Sequence, residues 1–183
     1  MTTISTNLAT ATQLKSEANL LVSNGQHKQA ISKYTRAYAY FTGLNTTGEA
    51  AQMSRLLNNK PSPSSITPQQ INEINQLHVS IGNNTSLCYY KLNDGNNAIK
   101  FANKVLAVDK SNIKALYRRG MGYILLGRYS DAYDDLHAAQ LLYQQINDNA
   151  TDTSINDAIK QCKDKMRQDD MKLAQKLKNV DFS

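Results

Sequence analysis

The stretch that decides the fold runs from Lys114 to Tyr143, KALYRRGMGYILLGRYSDAYDDLHAAQLLY. It reads as an amphipathic segment, a turn at Gly127, and a second amphipathic segment that opens near Ala132. Apolar residues that recur every three or four positions predict an α-helix, and a glycine between two such segments predicts the end of the first one. The stretch is therefore predicted to form a pair of helices.

Two earlier stretches repeat the pattern: residues 14–41, LKSEANLLVSNGQHKQAISKYTRAYAYF, and residues 84–109, NTSLCYYKLNDGNNAIKFANKVLAVD. The alanines that open the second helices are Ala30, Ala98 and Ala132, so their spacings are 68 and 34 residues. A helix-turn-helix period of 34 residues is typical of the tetratricopeptide (TPR) repeat, and 68 is two such periods. The sequence predicts an all-α fold, a TPR superhelix of three helix-turn-helix repeats plus a C-terminal capping helix.

Other positions repeat with the same period. Small residues stand where paired helices would approach closely, and large residues follow three positions later: Ala18, Ser86 and Gly120, then Leu21, Tyr89 and Tyr123. The turns between the helices carry Gly25, Gly127 and the tripeptide Asn93-Asp94-Gly95. Glycine and asparagine are the residues that end helices most readily. These matches support the repeat assignment independently of the alanines.

The segments between the repeats complete the predicted organisation. The first ten residues are rich in threonine, residues 45–66 contain Gly48, Pro61 and Pro63, and Thr67-Pro68 signals a new helix start. The predicted order is a disordered N-terminus (1–10), TPR repeat 1 (11–44), an insertion loop (45–66), TPR repeat 2 with an extended first helix (67–110), TPR repeat 3 (111–146) and a C-terminal capping helix (153–179). The second half of the last helix is expected to project beyond the core.

The composition and the motifs of the sequence limit the classes of function that the chain can have. The net charge of the 183 residues is +6 and the pI is about 9.2, which favours an anionic partner. Cys88 and Cys162 stand far apart, so we expect neither a disulfide framework nor a zinc site. We also expect no signal peptide and no membrane-spanning segment, which predicts a cytoplasmic protein. Catalytic motifs and clustered histidines are absent from the sequence, which predicts a protein that is not an enzyme and uses no metal or cofactor.

Five polar residues of the predicted first helices form the candidate binding site: Lys15, Asn19, Asn84, Lys114 and Arg118. Lys15 and Asn19 are four residues apart and share a helix face, as do Lys114 and Arg118. Asn84 lies 34 residues before Arg118, so the two occupy equivalent positions in consecutive repeats. We expect the five side chains to converge on one groove.

Their chemistry suits two carboxylates held close together. Arginine binds a carboxylate through two parallel hydrogen bonds, lysine supplies a point charge, and the asparagine amide donates without charge. A polypeptide that ends in aspartate offers such a pair in its terminal and side-chain carboxylates. The sequence therefore predicts a site for an acidic, free C-terminus.

The five residues resemble the binding site of carboxylate-clamp TPR domains, which belong to co-chaperones of heat-shock-90 and heat-shock-70. That family has Lys-x-x-x-Asn in repeat one, an Asn in repeat two and Lys-x-x-x-Arg in repeat three. Here the motif reads KSEAN from Lys15 to Asn19, NTSLCYY from Asn84, and KALYRRG from Lys114 with Arg118 at its fifth position. The resemblance implies an adaptor or co-chaperone that binds the chaperones' C-terminal Glu-Glu-Val-Asp and brings them to a second, client protein.

Within this family the whole chain is most similar to the tetratricopeptide-repeat protein 9 group. That group also has Gly-Leu, here at 43–44, before a proline-bearing loop, and a Thr-Pro helix start, here at 67–68. The chain departs from the family pattern at Ala18, where a glycine is expected, and at Lys110, where a proline usually ends repeat two. Which chaperone is preferred stays open.

Two other readings of the partner stay open. The chain could be a TPR scaffold that binds an internal segment of a partner other than a chaperone. Nucleic-acid binding is disfavoured because the cations alternate with amides, and no membrane partner is expected. In the last helix the basic residues flank an apolar stripe, which would suit a calmodulin-like target or a membrane surface. Interspersed aspartates favour a capping helix with a solvated face instead.

Overall fold

The computed structural model describes residues 3–41, 66–147 and 149–178. These residues form seven α-helices: α1 (Thr3–Ser23), α2 (His27–Phe41), α3 (Pro68–Lys91), α4 (Gly95–Leu106), α5 (Ile113–Leu125), α6 (Tyr129–Ile146) and α7 (Thr153–Lys178). The predicted insertion loop lies outside the described residues except for Ile66. The chain divides into two compact units after Cys88, within α3.

The three turns between paired helices share one backbone geometry. Gly25, Asn93 and Gly127 all have a positive φ, between 57° and 72°. In each turn the next amide donates to a carbonyl five residues back, as Asp94 N does to Tyr89 O at 2.9 Å. This left-handed ending satisfies carbonyls that the helix leaves unpaired, and it favours Gly or Asn because a side chain is strained there. The predicted turn residues are confirmed, and they follow the 34-residue period.

The first unit has one hydrophobic core, to which α1, α2 and α3 all contribute. Its largest fully buried side chains include Tyr34 and Phe41 of α2 and Ile74 and Ile81 of α3. Cys88 is also buried in this core, as a small hydrophobe. At the start of α3, Gln70 N donates to Thr67 Oγ1 at 3.2 Å while Thr67 N donates to Gln70 Oε1 at 3.0 Å. This reciprocal cap confirms Thr67 as the start signal of the helix.

The prediction of a disordered N-terminus over residues 1–10 is wrong from Thr3 onward, where α1 begins. Ile4, Leu8 and Ala11 are buried in the core of the first unit, at spacings of four and three residues. Threonine is a poor helix former, but burial of an apolar stripe outweighs a propensity difference of a few tenths of a kcal/mol per residue. The stripe extends α1 by two turns beyond the repeat.

In the second unit, consecutive helices from α4 to α7 pack on one another. Glycines permit the closest approaches: a Cβ at Gly122 would lie 2.8 Å from Ile99 Cγ1, and one at Gly95 would lie 2.8 Å from the Gly122 carbonyl oxygen. A Cβ at Gly120 would meet Leu136 at 2.8 Å, which is why this position requires a small residue. The predicted close approach at Gly120 is confirmed.

Arg119 links three helices of this unit. Its Nε and Nη2 donate to the two carboxylate oxygens of Asp135 at 2.7 and 2.6 Å, and its Nη1 donates to Asn103 Oδ1 at 2.8 Å. The hydrogen bonds with Asp135 raise the pKa of Arg119, so the guanidinium stays charged. The ion pair of Arg119 and Asp135 connects α5 to α6, and the hydrogen bond to Asn103 connects α5 to α4.

The last helix has two different halves. Ile155, Ala158, Ile159 and Cys162 are buried, and α7 packs through this half against α6. Beyond Cys162 no side chain of α7 is buried within the described range, and Leu173 and Leu177 are more than half exposed.

Asp94 caps α4, which leads to a stability prediction. Its Oδ1 accepts from Asn97 N at 3.0 Å and its Oδ2 accepts from Asn97 Nδ2 at 2.7 Å. Replacing Asp94 with alanine should lower the free energy of unfolding by about 1 kcal/mol, the usual worth of such a cap. Differential scanning calorimetry should show a thermal midpoint about 2–4 °C lower. Asp94→Asn keeps an acceptor oxygen and should retain most of the stability.

The same cap predicts a pH dependence. The hydrogen bonds from Asn97 lower the pKa of Asp94, so the ionised carboxylate stabilises the folded state above the ordinary aspartate pKa. That contribution is lost as the pH falls through the lowered pKa. The stability difference between wild type and Asp94→Asn should therefore shrink in acid, and a difference that grows with acidity would contradict the assignment.

Candidate peptide-binding site

Three of the five predicted site residues lie in the first unit. Lys15 and Asn19 are one turn apart on α1, with Lys15 half-buried and Asn19 exposed. Asn84, on α3, is half-buried. Its Nδ2 donates to Asn19 Oδ1 at 3.0 Å, although the two residues are 65 positions apart in the chain. The structure thus brings the amides of repeats one and two into direct contact.

Asn19 has a second partner that sequence reasoning missed. The hydroxyl of Tyr34, on α2, donates to Asn19 Oδ1 at 2.6 Å. Tyr34 is fully buried (0% exposed), so its ring is fixed by the core of the first unit. The sequence holds a signal for this contact. Tyr34 faces the core from α2, which is the helix paired with α1, and Asn19 lies on α1.

The other two predicted residues lie in the second unit, on α5. Asn112 caps this helix by accepting from Ala115 N at 3.0 Å, which places Lys114 in the first turn. Lys114 is exposed, and Arg118 follows one turn later and is half-buried. Whether these two cations share a groove with Lys15, Asn19 and Asn84 stays a prediction.

The helices α1 and α5, which carry four of the five site residues, contain one carboxylate between them. The only acidic residue of α1 is Glu17, whose Oε2 lies 2.6 Å from Lys33 Nζ, and this hydrogen bond lowers the pKa of Glu17. Helix α5 contains no acidic residue, and its neighbouring cation Arg119 is paired with Asp135. Neither helix therefore neutralises its site cations with a carboxylate of its own.

A cavity of about 390 Å³ lies beside Lys114 in the second unit. Its walls include Ile113 and Tyr117 of α5, Tyr143 of α6 and Ile155 of α7. Burial raises the pKa of Tyr117, with smaller contributions from nearby groups, so its hydroxyl stays protonated. The cavity offers apolar volume next to Lys114, with the carboxylate of Asp152 also on its wall, and this volume suits an apolar side chain.

The described part of the chain offers neither a metal-binding cluster nor a helix that could span a bilayer. The described residues hold no group of three or more His, Cys, Asp and Glu side chains that could bind a metal ion. As far as the described ranges extend, none of the seven helices has the length and apolar composition that a bilayer-spanning segment requires.

Comparison with known sequences gives partial matches. No family model matches the chain. It is 41% identical over 63 residues to FK506-binding protein 59 of Drosophila melanogaster, which is 34% of this chain and 14% of that protein. It is 30% identical over 156 residues to outer envelope protein 61 of Arabidopsis thaliana, which is 85% of this chain and 23% of that protein. The chain therefore spans less than a quarter of the length of either relative.

Solved structures give fuller coverage. The C-terminal TPR domain of a Plasmodium falciparum FK506-binding protein matches with a TM-score of 0.71 at 24% identity, over 90% of this chain and 93% of that one. The second TPR domain of human RPAP3, solved in complex with the HSP70 peptide SGPTIEEVD, matches with a TM-score of 0.60 at 19% identity, over 86% and 98%. These neighbours are TPR repeat domains, which are protein-interaction modules. The predicted fold class is confirmed, and the chain has an all-α TPR fold.

Proposed function

We propose that this chain is a cytosolic adaptor, not an enzyme, that binds the acidic C-terminal tail of a heat-shock-90 or heat-shock-70 chaperone. The tail, of the Glu-Glu-Val-Asp type, is held by a carboxylate clamp made of Lys15, Asn19, Asn84, Lys114 and Arg118. The adaptor would bring the chaperone to a client protein. We also propose that it is most similar to the tetratricopeptide-repeat protein 9 group, because of the Gly-Leu at 43–44 and the Thr-Pro at 67–68.

The contact between Asn19 and Asn84 carries the proposal. A clamp needs uncharged donors from two repeats at one accessible place, and this hydrogen bond joins such donors across 65 positions of sequence. The cations Lys15, one turn from Asn19, and the pair Lys114 and Arg118 supply charge of the sign that a carboxylate requires. Two solved TPR domains of similar fold add support, since one carries the HSP70 peptide SGPTIEEVD and another the HSP90 peptide SRMEEVD.

The cavity beside Lys114 fits this proposal as well. A residue upstream of the terminal aspartate would place an apolar side chain against Tyr117 and Tyr143 while an acidic group reaches Lys114. Burial of one such side chain contributes about 1.5–3 kcal/mol, enough to raise affinity without adding charge.

The test is calorimetric titration of the chain with a peptide ending in Glu-Glu-Val-Asp, compared with the same peptide amidated at its C-terminus. We expect a Kd of about 1 µM for the free acid, about −8 kcal/mol, and weaker binding as salt rises. Amidation removes the terminal charge and should eliminate most of the binding. Equal binding of the two peptides would refute the clamp.

The alternative function is a TPR scaffold that binds an internal segment of a partner that is not a chaperone. Under this alternative, a partner should still bind when its C-terminus is blocked. Affinity capture of a partner with a protein fused to its C-terminus distinguishes the alternative from the clamp, since the clamp requires a free C-terminus. Retention on heparin with competition by duplex DNA would indicate nucleic-acid binding instead.

A further inference from the structure

The hydrogen bonds at Asn19 have a direction that matters for recognition. Asn19 Oδ1 accepts from the Tyr34 hydroxyl at 2.6 Å and from Asn84 Nδ2 at 3.0 Å. An amide oxygen has two lone pairs, so these two bonds use its accepting capacity. No hydrogen bond among the described residues uses the Nδ2 group of Asn19. The exposed side of this amide therefore presents donors only.

The contact between the two amides does not by itself choose that direction. If both side chains turned by 180° about their last torsion, the donor and acceptor of the pair would exchange places and one hydrogen bond would remain. Terminal torsions of asparagine are broad and roughly two-fold, so such a turn is sterically accessible. Asn19 would then present its oxygen outward, where it repels a carboxylate and accepts from an amide.

The phenol of Tyr34 removes this ambiguity. Its ring is fully buried and its hydroxyl reaches the Asn19 amide from the core side. If the Asn19 amide turned, its NH2 group would face the Tyr34 hydroxyl, and this 2.6 Å hydrogen bond would lose its acceptor in a buried place where breaking a hydrogen bond is costly. That cost favours the orientation in which Asn19 turns its oxygen towards Tyr34 and its NH2 group towards solvent.

We propose that Tyr34 is a positioning residue that sets the selectivity of this site for a carboxylate over an amide. Tyr34 touches no ligand, and it acts by holding Asn19 as a donor. The proposal rests on the clamp proposed above, and it adds a residue from the second helix of repeat one that discriminates between chemically similar termini.

The test uses Tyr34→Phe in the full chain, which keeps the buried ring and removes only the hydroxyl. Calorimetry should show that the free-acid Glu-Glu-Val-Asp peptide binds about fivefold to tenfold more weakly, while affinity for the amidated peptide is unchanged or higher. The ratio of the two affinities should fall at least fivefold. A variant that merely loosened the fold would weaken both peptides alike and leave the ratio unchanged, and that result would overturn the proposal.

Tyr38→Phe is the matched control. Tyr38 lies one turn further along α2 and donates to His78 O at 3.3 Å, away from Asn19. Its loss should leave the affinity ratio at the wild-type value. A fall in the ratio equal to that of Tyr34→Phe would also overturn the proposal, because the effect would then not be specific to the hydroxyl at Asn19.

A measurement without peptide separates this proposal from the clamp itself. In NMR spectra of the free chain, the Asn19 side-chain NH2 should give one sharp pair of resonances in wild type and a doubled or exchange-broadened pair in Tyr34→Phe. If wild type binds both peptides equally, the clamp fails, and the NMR comparison still decides whether Tyr34 orients Asn19. Unchanged Asn19 resonances in Tyr34→Phe would overturn the positioning role.

Discussion

Replacing Lys114 and Arg118 together with alanine should weaken binding of the free-acid Glu-Glu-Val-Asp peptide by about 100-fold, or about 2.7 kcal/mol. Hydrogen bonds to charged groups contribute about 1.5–3 kcal/mol each, and the double change removes both cations that α5 offers. The loss should exceed that of any single change at the site, because Arg118 is the only residue of the five that can hold a carboxylate in a two-pronged grip. Isothermal titration calorimetry measures it directly.

A matched double variant controls for net charge. Lys100→Ala with Lys110→Ala removes two positive charges at exposed positions outside the site. Its effect should stay within about threefold, because exposed charges at a distance are screened at physiological salt. If the two double variants lose affinity equally, attraction to the tail is a property of overall charge and the clamp is disproved.

Arg118→Lys refines this prediction. It keeps the charge and removes the planar fork, so it should recover only part of the affinity lost in Arg118→Ala. Full recovery would show that charge alone suffices at this position. The peptide for this comparison must end in a free carboxylate, since the fork is proposed to read that group.

Asp135→Ala should lower the free energy of unfolding by about 3 kcal/mol, the largest effect we expect from a single substitution. The Asp135 side chain is 10% exposed and that of Arg119 is 26% exposed, so removal of the carboxylate leaves a guanidinium with little access to water. Breaking a buried pair in this way usually costs about 3–5 kcal/mol, and the partial exposure of Arg119 places the value at the lower end. Urea denaturation should show a lower midpoint with an unchanged slope.

Asp131→Ala is the matched control for this stability prediction. Asp131 pairs with Arg128 at 2.8 Å, but both side chains are about half exposed. Exposed ion pairs contribute little to stability because water and salt screen them, so the midpoint should move much less than in Asp135→Ala. A larger effect from Asp131→Ala than from Asp135→Ala would show that burial does not govern these ion pairs.

A second variant isolates the uncompensated charge. Arg119→Met combined with Asp135→Leu replaces the buried pair with apolar side chains of similar volume, which is often neutral for stability. The double variant should therefore be more stable than Asp135→Ala. Equal destabilisation by both would mean that packing, and not the lone charge, accounts for the loss.

The repeats use one position for two different ion pairs. Glu17 and Lys33 lie 102 positions before Arg119 and Asp135, which is three periods of 34. In both pairs the first helix of a repeat is joined to its second helix at 2.6 Å, but with the charges exchanged. The position in the repeat thus determines where an ion pair joins the two helices. The local sequence determines which helix carries the acid and which the base.

Sequence alone determined the fold class, the turns and the residues that the site was expected to contain. Periodicity carries this information because each helical pair of a TPR fold buries the same small and large positions, as at Ala18, Ser86 and Gly120. The helical N-terminus was missed because Ile4, Leu8 and Ala11 lie among threonines, and only the core of the first unit shows that they form a buried stripe.

Only the tertiary structure decided the contacts that orient the Asn19 side-chain amide. Asn84 reaches Asn19 across 65 positions, and Tyr34 fixes the orientation of that amide from inside the core. A repeat period states which residues are equivalent, but it carries no information about which atom of an amide faces a neighbour. That choice depends on a buried hydroxyl, whose place is set only when the helices pack.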